Sequence, residues 1–324
     1  MRVNLCRVVC ALQVRTPLVF PAFDAGFKGS AWHGRIDNFI QRDDVLKRAL
    51  KKAPGSSASD RYWIDAPESR IDDASGPFSR AAYDAGDRFE LALVAAVSHD
   101  VLNAQLLSRL VAALTDAGRA EGAAFKGTFE VLTTRVEAYP MSALVPPPGM
   151  RAVRDSAPSQ NASARLTIEL HTMLRLGDGE HMEAAQRAMQ QGMQAVPSLG
   201  AMAASVLRRV TTLKIFDDEQ VMSGLAELVN QIATRRDISI HHARIAPFDG
   251  QRISGHVNQR LPIGGLLGTV SFVGPSALMG ELHPLFKLAE WVRIGQKTSL
   301  GLGRVRAAIE LSPSPQAPVP ALEL

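Results

Sequence analysis

Several features that would assign a chemistry directly are missing from the 324-residue sequence. The only cysteines are Cys6 and Cys10, and no CxxC or HExxH motif occurs, so neither a metal site nor a cofactor is predicted. No apolar run reaches membrane-spanning length, and the first residues mix Arg2, Arg7 and Arg15 with apolar side chains instead of forming a signal-peptide core. A cytoplasmic protein without a membrane partner is therefore expected.

Aromatic residues are also scarce, at 6% of the chain. Stacking of nucleic-acid bases on aromatic platforms is therefore not predicted as a main mode of binding. Hydrophobic residues make up 46% and charged residues 21%, which is typical of a globular protein and not of a disordered one. The formal net charge of +4 is compatible with a nucleic-acid partner but does not require one.

The most distinctive stretch is LAEWVRIGQKTSLGLGRVR, at residues 288–306, where no acidic residue falls between Trp291 and Arg306. Three glycines interrupt it: Gly295, Gly301 and Gly303. Glycine lets a backbone turn and approach a ligand closely, and exposed N–H groups with flanking cations suit phosphate. The context fits neither a dinucleotide-binding turn nor a P-loop. A glycine-rich hairpin with solvated charges is the alternative interpretation.

The first half of the chain has the element order of a ferredoxin-like domain. Residues 3–20 and 88–98 predict strands, RYWIDA at 61–66 predicts a short one, and residues 125–140 alternate as a half-buried strand should. Apolar spacing predicts a helix from an N-cap at Ser30 to about Leu50, and another after residue 100. The predicted domain covers residues 1–145.

The second half begins after a linker at 146–160, which is rich in Pro and Ser. ARLTIELHTML, ISIHHARI and LLGTVSFVG predict strands, and residues 180–234 form a largely helical segment. This second domain is predicted at 161–311, with the glycine-rich loop at 295–303. The Pro-rich tail at 312–324 is predicted to be disordered.

Four segments together resemble a known family. GQKTSLGLGRV at 295–305 resembles the C-terminal glycine-rich signature of the RAMP-superfamily endoribonucleases that cut CRISPR repeat RNA. FKGSAWHGRI at 27–36 resembles the turn and basic helix that follow the first strand of that family. The paired arginines at 208–209, inside an apolar helix, and the Gly-Gly-x-x-Gly strand that ends Phe-x-Gly at 264–274 are similar to it as well.

The resemblance implies an α+β fold of two tandem ferredoxin-like domains (RAMP/RRM-like), here with a helical insertion in the second half. It implies a basic cleft that grips the stem of a CRISPR repeat hairpin and a metal-independent cut at the base of that stem. In such a reaction the 2′-OH beside the scissile phosphate attacks it, which leaves a 2′,3′-cyclic phosphate and a 5′-OH. It also implies that the protein stays bound to the crRNA and acts alone or beside other CRISPR effector subunits.

This chemistry needs a base with a pKa near neutrality, which favours histidine, and a cation to stabilise the phosphorane. His33 is the first candidate for the base, because the family often places its base after strand one, with Lys28 and Arg35 beside it as further catalytic residues. Many members carry a histidine before the glycine-rich loop, where this chain has Arg293, so an arginine-based mechanism stays open. Each of these side chains is alternatively a packing or surface residue.

Contacts with RNA phosphates are predicted for the basic side chains and glycines of the resembling segments. His256 is also the second candidate for the base, since it lies between two arginines. The predicted RNA-binding residues are Arg293, Lys297, Arg304, Arg306, Arg208, Arg209, Arg252, His256, Arg260, Gly295, Gly301 and Gly303. Two rival functions remain: a RAMP-fold subunit that holds crRNA without cutting it, and an α+β protein that does not bind RNA.

Overall fold

The structure is a computed structural model that describes most of the chain. The described residues are 3–20, 28–51, 60–66, 82–97, 101–121, 124–144, 162–176, 194–248, 251–254, 259–312 and 321–323. The predicted linker at 146–160 lies outside them, as does the whole of 180–193, the first part of the predicted helical segment.

The first half is a strand–helix–strand–strand–helix–strand unit, as the sequence predicts. The central strand β1 pairs antiparallel with β4 on one side and β5 on the other, β4 pairs with β2, and the two-residue β3 extends the sheet beside the end of β1. The elements are β1 (Cys6–Val19), α1 (Gly29–Arg42), α2 (Asp44–Leu50), β2 (Tyr62–Asp65), β3 (Ala82–Tyr83), β4 (Arg88–Ala95), α3 (Ala104–Arg119) and β5 (Lys126–Ala138).

The second half repeats this order with a four-stranded antiparallel sheet, β12-β6-β11-β8. Two helices follow its first strand and one follows its third, so the predicted tandem ferredoxin-like fold is confirmed. Its elements are β6 (Ser163–Leu174), β7 (Gln194–Val196), α4 (Leu199–Leu213), α5 (Glu219–Thr234), β8 (Ser239–Phe248), β9 (Gln251–Ser254), β10 (Gln259–Pro262), β11 (Gly265–Pro275), α6 (Ser276–Val292), β12 (Val305–Ser312) and β13 (Ala321–Glu323).

The predicted first helix is two helices in the structure, and its start also differs. Helix α1 begins at Gly29, so Ser30 lies inside it and is not the N-cap. The chain leaves helical geometry at Asp43, whose carboxylate accepts hydrogen bonds from the backbone N–H groups of Val45 and Leu46 at 2.9 and 3.0 Å. An aspartate that caps a new helix in this way competes with continuing the old one.

Two predictions for the second half are wrong in part. Residues 194–196, predicted as helix, form β7, because Pro197 disfavours helical geometry in the residue before it. The tail is not irregular throughout: Ala321–Glu323 forms β13, which pairs in parallel with β7. The prolines of the tail end at Pro320, so they do not exclude a strand there.

Strand β2 joins the two halves, because its alternate side chains enter different cores. Tyr62 and Ile64 pack into the core of the first half. Trp63, fully buried, belongs to the core of the second half, and its Nε1 donates to the carbonyl of Trp291 at the end of α6 over 2.9 Å. Because a strand sends successive side chains to opposite faces, four residues connect both hydrophobic cores.

Candidate nucleic-acid interface and active site

The glycine-rich segment is folded back onto strand β6. Gly303 N–H donates to the carbonyl of Met173 over 3.0 Å, and the Thr172 hydroxyl donates to the carbonyl of Gly301 over 2.9 Å. Gly303 has φ +74°, and an added Cβ would lie 1.7 Å from the carbonyl oxygen of Ile294. These glycines therefore serve close backbone packing inside the protein, whereas the sequence favoured an approach to a ligand.

Arg293, predicted to bind RNA, lies inside the protein with 1% of its surface exposed. Its guanidinium pairs with the Asp65 carboxylate at the end of β2 and donates to the carbonyls of Gly301 and Ile64. The prediction of a phosphate contact is wrong for this side chain, because its charge is already matched across the two halves. The backbone angles of Arg293, φ 69° and ψ 166°, are strained for any residue other than glycine, and the ion pair and hydrogen bonds of its side chain stabilise them.

Three arginines nevertheless act on the one Asp65 carboxylate where the halves meet. Burial opposes ionisation of Asp65, but the charges of Arg293, Arg304 and Arg7 hold its pKa below the ordinary value. Arg209, also buried, lies with its guanidinium 4.7 Å from the Trp63 ring and donates to a carbonyl at the end of α6. Burial, and then the charge of Arg293, lower the pKa of Arg209 to about 9, which leaves it charged at neutral pH.

Helix α1 and the glycine-rich segment meet at this junction, although they are far apart in sequence. Gly29, in the first turn of α1, faces the same narrow crevice as Gly301 and Arg304, together with Ile64 and Ala66 at the end of β2. The helix N-terminus adds partial positive charge to that of the arginines. The fold thus brings together two segments that the sequence connected only through a shared resemblance.

His33 lies one turn into α1, with 9% of its surface exposed. Its ring stacks on Tyr62 of β2, with centroids 5.5 Å apart and planes 6° from parallel. Asp37 follows one turn later, and its carboxylate accepts a hydrogen bond from the Tyr62 hydroxyl. The imidazole therefore packs on the Tyr62 ring, close to the Asp37 carboxylate.

Lys51 and Asp60 complete a cluster around His33. Lys51 Nζ donates to Asp37 over 2.9 Å and to Asp60 over 2.7 Å. Burial opposes the charge of Asp37, but bonds from Tyr62 and Lys51 and the charge of His33 lower its pKa. Burial likewise opposes the charge of Lys51, while both carboxylates raise its pKa. Among the described residues, His33, Asp37 and Asp60 are the one group of nitrogen and oxygen donors with metal-binding spacing.

Lys28 and Arg35, predicted beside His33 as catalytic residues, are internal. Lys28 is 2% exposed, and its Nζ lies 5.8 Å from the ring of Phe20. Arg35 is 3% exposed and donates to backbone carbonyls at the end of α3 and the start of β5, including that of Ala117 over 2.7 Å. Both side chains are thus directed into the protein, and their catalytic role stays a prediction that this burial does not favour.

The remaining predicted RNA contacts differ in accessibility. Lys297 and Arg304 are partly exposed, and Arg306 and Arg208 are exposed, whereas Arg209 is buried. Arg252 lies on β9 and Arg260 on β10, an antiparallel pair of strands that the sequence does not predict. His256 lies outside the described residues.

Sequence reasoning missed two ion pairs, Arg293 with Asp65 and Lys51 with Asp60. Both aspartates lie in segments with no motif, and only the fold brings them to their partners. One local signal was available: His33 and Asp37 are spaced i and i+4, which places both on one helix face.

Comparison with protein families gives a match in the second half of the chain. Residues 168–305 match the family model of the CRISPR-associated endoribonuclease Cas6. Over this segment the chain is similar to Cas6. The matched segment runs from β6 through α6 to the start of β12, and it contains the whole glycine-rich segment. The resemblance drawn from the sequence is confirmed.

Solved structures extend the likeness to the fold of both halves. The product complex of a Cas6 protein from Thermus thermophilus aligns with 94% of this chain and 99% of that one, at TM-score 0.52 and 16% identity. A chain of a partial Cas6-RT-Cas1–Cas2 complex aligns with 99% of this chain but 48% of its own length, at TM-score 0.54 and 14% identity. Comparison with curated protein sequences gives no match. At such identities the structures establish the tandem fold alone.

No helix among the described residues is long and apolar enough to cross a membrane.

Proposed function

We propose that this Cas6-like chain is an endoribonuclease that cuts CRISPR repeat RNA at the base of a hairpin and stays bound to the crRNA. The observation that carries the proposal is the match of residues 168–305 to the Cas6 endoribonuclease model, within a tandem fold like that of a Cas6 product complex. Arg304, which is partly exposed where the halves meet, also supports a polyanionic partner.

In the proposed reaction the ribose supplies the nucleophile, so no metal or cofactor is needed. His33 accepts the proton of the 2′-OH, which attacks the adjacent phosphorus as the bond to the 5′-oxygen breaks. The products are a 2′,3′-cyclic phosphate and a 5′-OH, whose oxygen takes its proton from water as it leaves. Tyr62 stacks on the imidazole, and a carboxylate oxygen of Asp37 lies within 4.8 Å of a ring nitrogen, so that little reorganisation is required when RNA binds.

Charge on the phosphorane is stabilised in this scheme by cations that retain accessible surface, of which Arg304 lies at the junction. Lys297, Arg306 and Arg208 contact phosphates of the stem and set the affinity and its salt dependence. The hairpin's shape selects the substrate.

The decisive experiment is single-turnover incubation of the pure protein with an end-labelled CRISPR repeat hairpin in EDTA. A shortened product that ends in a cyclic phosphate is expected. The matched control carries a single 2′-deoxy substitution at the cut site, which removes the nucleophile and should abolish cleavage without preventing binding.

The burial of His33 gives the non-cleaving subunit a specific observation in its favour, since a base must reach its proton. That alternative predicts tight, salt-sensitive binding of the unmodified hairpin without any product. Absence of both binding and product across a panel of repeat hairpins would contradict an RNA-directed function altogether.

A further inference from the structure

His33 forms a cluster with Asp37, Asp60 and Lys51. The proposed RNA cleavage does not require the nitrogen and oxygen atoms of this cluster to bind one ligand. A ring nitrogen of His33 and one carboxylate oxygen each from Asp37 and Asp60 lie within 4.8 Å of one another. Lys51 Nζ bonds to both carboxylates, at 2.9 and 2.7 Å. We propose that this cluster is a latent site for a divalent transition-metal ion such as Zn²⁺, and that the Lys51 ammonium occupies the ion's position.

The donor set fits such an ion. One imidazole nitrogen and two carboxylate oxygens suit Zn²⁺ or Co²⁺ better than Mg²⁺, which prefers oxygen ligands alone. Three protein ligands leave a fourth tetrahedral position for water. Two of the ligands are fixed relative to each other, because His33 and Asp37 lie one turn apart on α1.

The geometry needs only a small adjustment. Zn²⁺ bonds of about 2.0–2.1 Å place tetrahedral ligand atoms roughly 3.4 Å apart. The distance between any two of the three donor atoms, 4.8 Å at most, therefore needs to shorten by about 1.4 Å or less. The Tyr62 hydroxyl, which donates to Asp37, is an outer partner of the kind that orients metal-binding carboxylates.

Lys51 decides whether an ion enters. Two half-buried carboxylates repel each other unless a cation lies between them, and the ammonium supplies that charge without a metal. A divalent ion must displace the ammonium, which turns into solvent still protonated. Removing Lys51 therefore removes the competitor and leaves the donors in place. If His33 is the base of the proposed function, a bound ion would also occupy its lone pair and inhibit cleavage.

The test measures metal binding directly, on tag-free protein and without RNA. Co²⁺ is titrated while its visible d–d absorption is recorded, and Zn²⁺ is then added as a competitor. Lys51→Met should bind Co²⁺ about tenfold or more tightly than the unsubstituted protein, because a nearby positive charge is removed. The matched control is Lys47→Met, an exposed lysine of α2, which should leave the affinity unchanged.

Adding Asp60→Asn to Lys51→Met should abolish the absorption. Equal affinity in Lys51→Met and the control, or absorption that survives Asp60→Asn, would overturn the proposal. If Lys51→Met does not fold, the rise in melting temperature that Zn²⁺ causes is measured instead in the unsubstituted protein and in Asp60→Asn. Loss of this rise in Asp60→Asn supports the site, and an unchanged rise contradicts it. Since no step involves RNA, failure here is distinct from failure of the proposed nuclease.

Discussion

Arg293 and Asp65 form a buried ion pair that connects the two halves of the protein. The arginine follows α6 in the second half, and the aspartate ends β2 in the first. Their side chains are 1% and 8% exposed. A pair desolvated this far is costly to break from one side, because the remaining charge loses its partner without regaining water.

Asp65→Asn should therefore lower the free energy of unfolding by about 3 kcal/mol. Urea denaturation followed by circular dichroism measures this change. The matched control is Asp116→Asn, since Asp116 is exposed on α3 and its loss should change stability by less than about 0.5 kcal/mol. A similar small effect for both variants would mean that the pair contributes little.

The same carboxylate predicts a pH dependence of stability. Its pKa in the folded protein lies below the ordinary value of 3.8, so the folded state binds its proton less readily than the unfolded chain does. This contribution is complete above the unfolded pKa and is lost as pH falls through the folded one. The acid limb of a melting-temperature profile should accordingly be shallower in Asp65→Asn. Parallel acid limbs would assign the acid sensitivity to other groups.

Gly303→Ala should destabilise the protein by about 2 kcal/mol or more, because φ of +74° and a carbonyl oxygen 1.7 Å from the new Cβ both oppose it. Gly224→Ala offers a control of opposite sign. Gly224 is exposed within α5 with no atom within 4 Å of an added Cβ, so alanine there should stabilise by up to about 1 kcal/mol. Thermal unfolding of both variants distinguishes a packed segment from a freely exposed loop.

His33→Ala should lower the single-turnover cleavage rate about 10²-fold or more if His33 is the base. Equilibrium binding of the repeat hairpin should change little, because the imidazole acts on the 2′-OH proton. His242→Ala, an exposed histidine on β8, is the control and should retain the full rate. An undiminished rate in His33→Ala would remove it from the mechanism and favour an arginine-based one.

Replacing Lys297 and Arg306 together by alanine should weaken hairpin binding. It should also flatten the dependence of binding on salt, by about one unit of slope for each phosphate that is no longer neutralised. Filter binding at several salt concentrations measures the slope. Arg119→Ala, in the exposed last turn of α3, is the charge-matched control for one of the two changes. An identical slope in the double variant would exclude these two side chains from the RNA path.

The tandem fold was predictable because it depends on local patterns. Apolar alternation and helical spacing place the main strands and helices, and the resemblance of residues 295–305 supplied the second ferredoxin-like unit. The roles of individual cations were not predictable in the same way. Arg293 and Arg304 lie in one run of sequence, but Asp65 neutralises the first, and the fold alone brings that carboxylate near.

The cluster around His33 shows the same limit. His33 stood out because of its position after strand one, yet Asp60 and Lys51 carry no signal of their own. Their meeting depends on how α1, α2 and β2 pack, which is long-range information that a single sequence does not display. Arg35 shows the converse: a basic residue beside a candidate base binds backbone carbonyls inside the protein instead of a substrate.

Because Trp63 is inserted among residues of the opposite half, neither ferredoxin-like unit is a self-sufficient module. A fragment cut at the Pro-rich connection would present this indole and its apolar neighbours to water, and the excised piece should aggregate or bind its missing counterpart. A chimera that combines halves of two related proteins would have to take strand β2 and the end of α6 from the same protein.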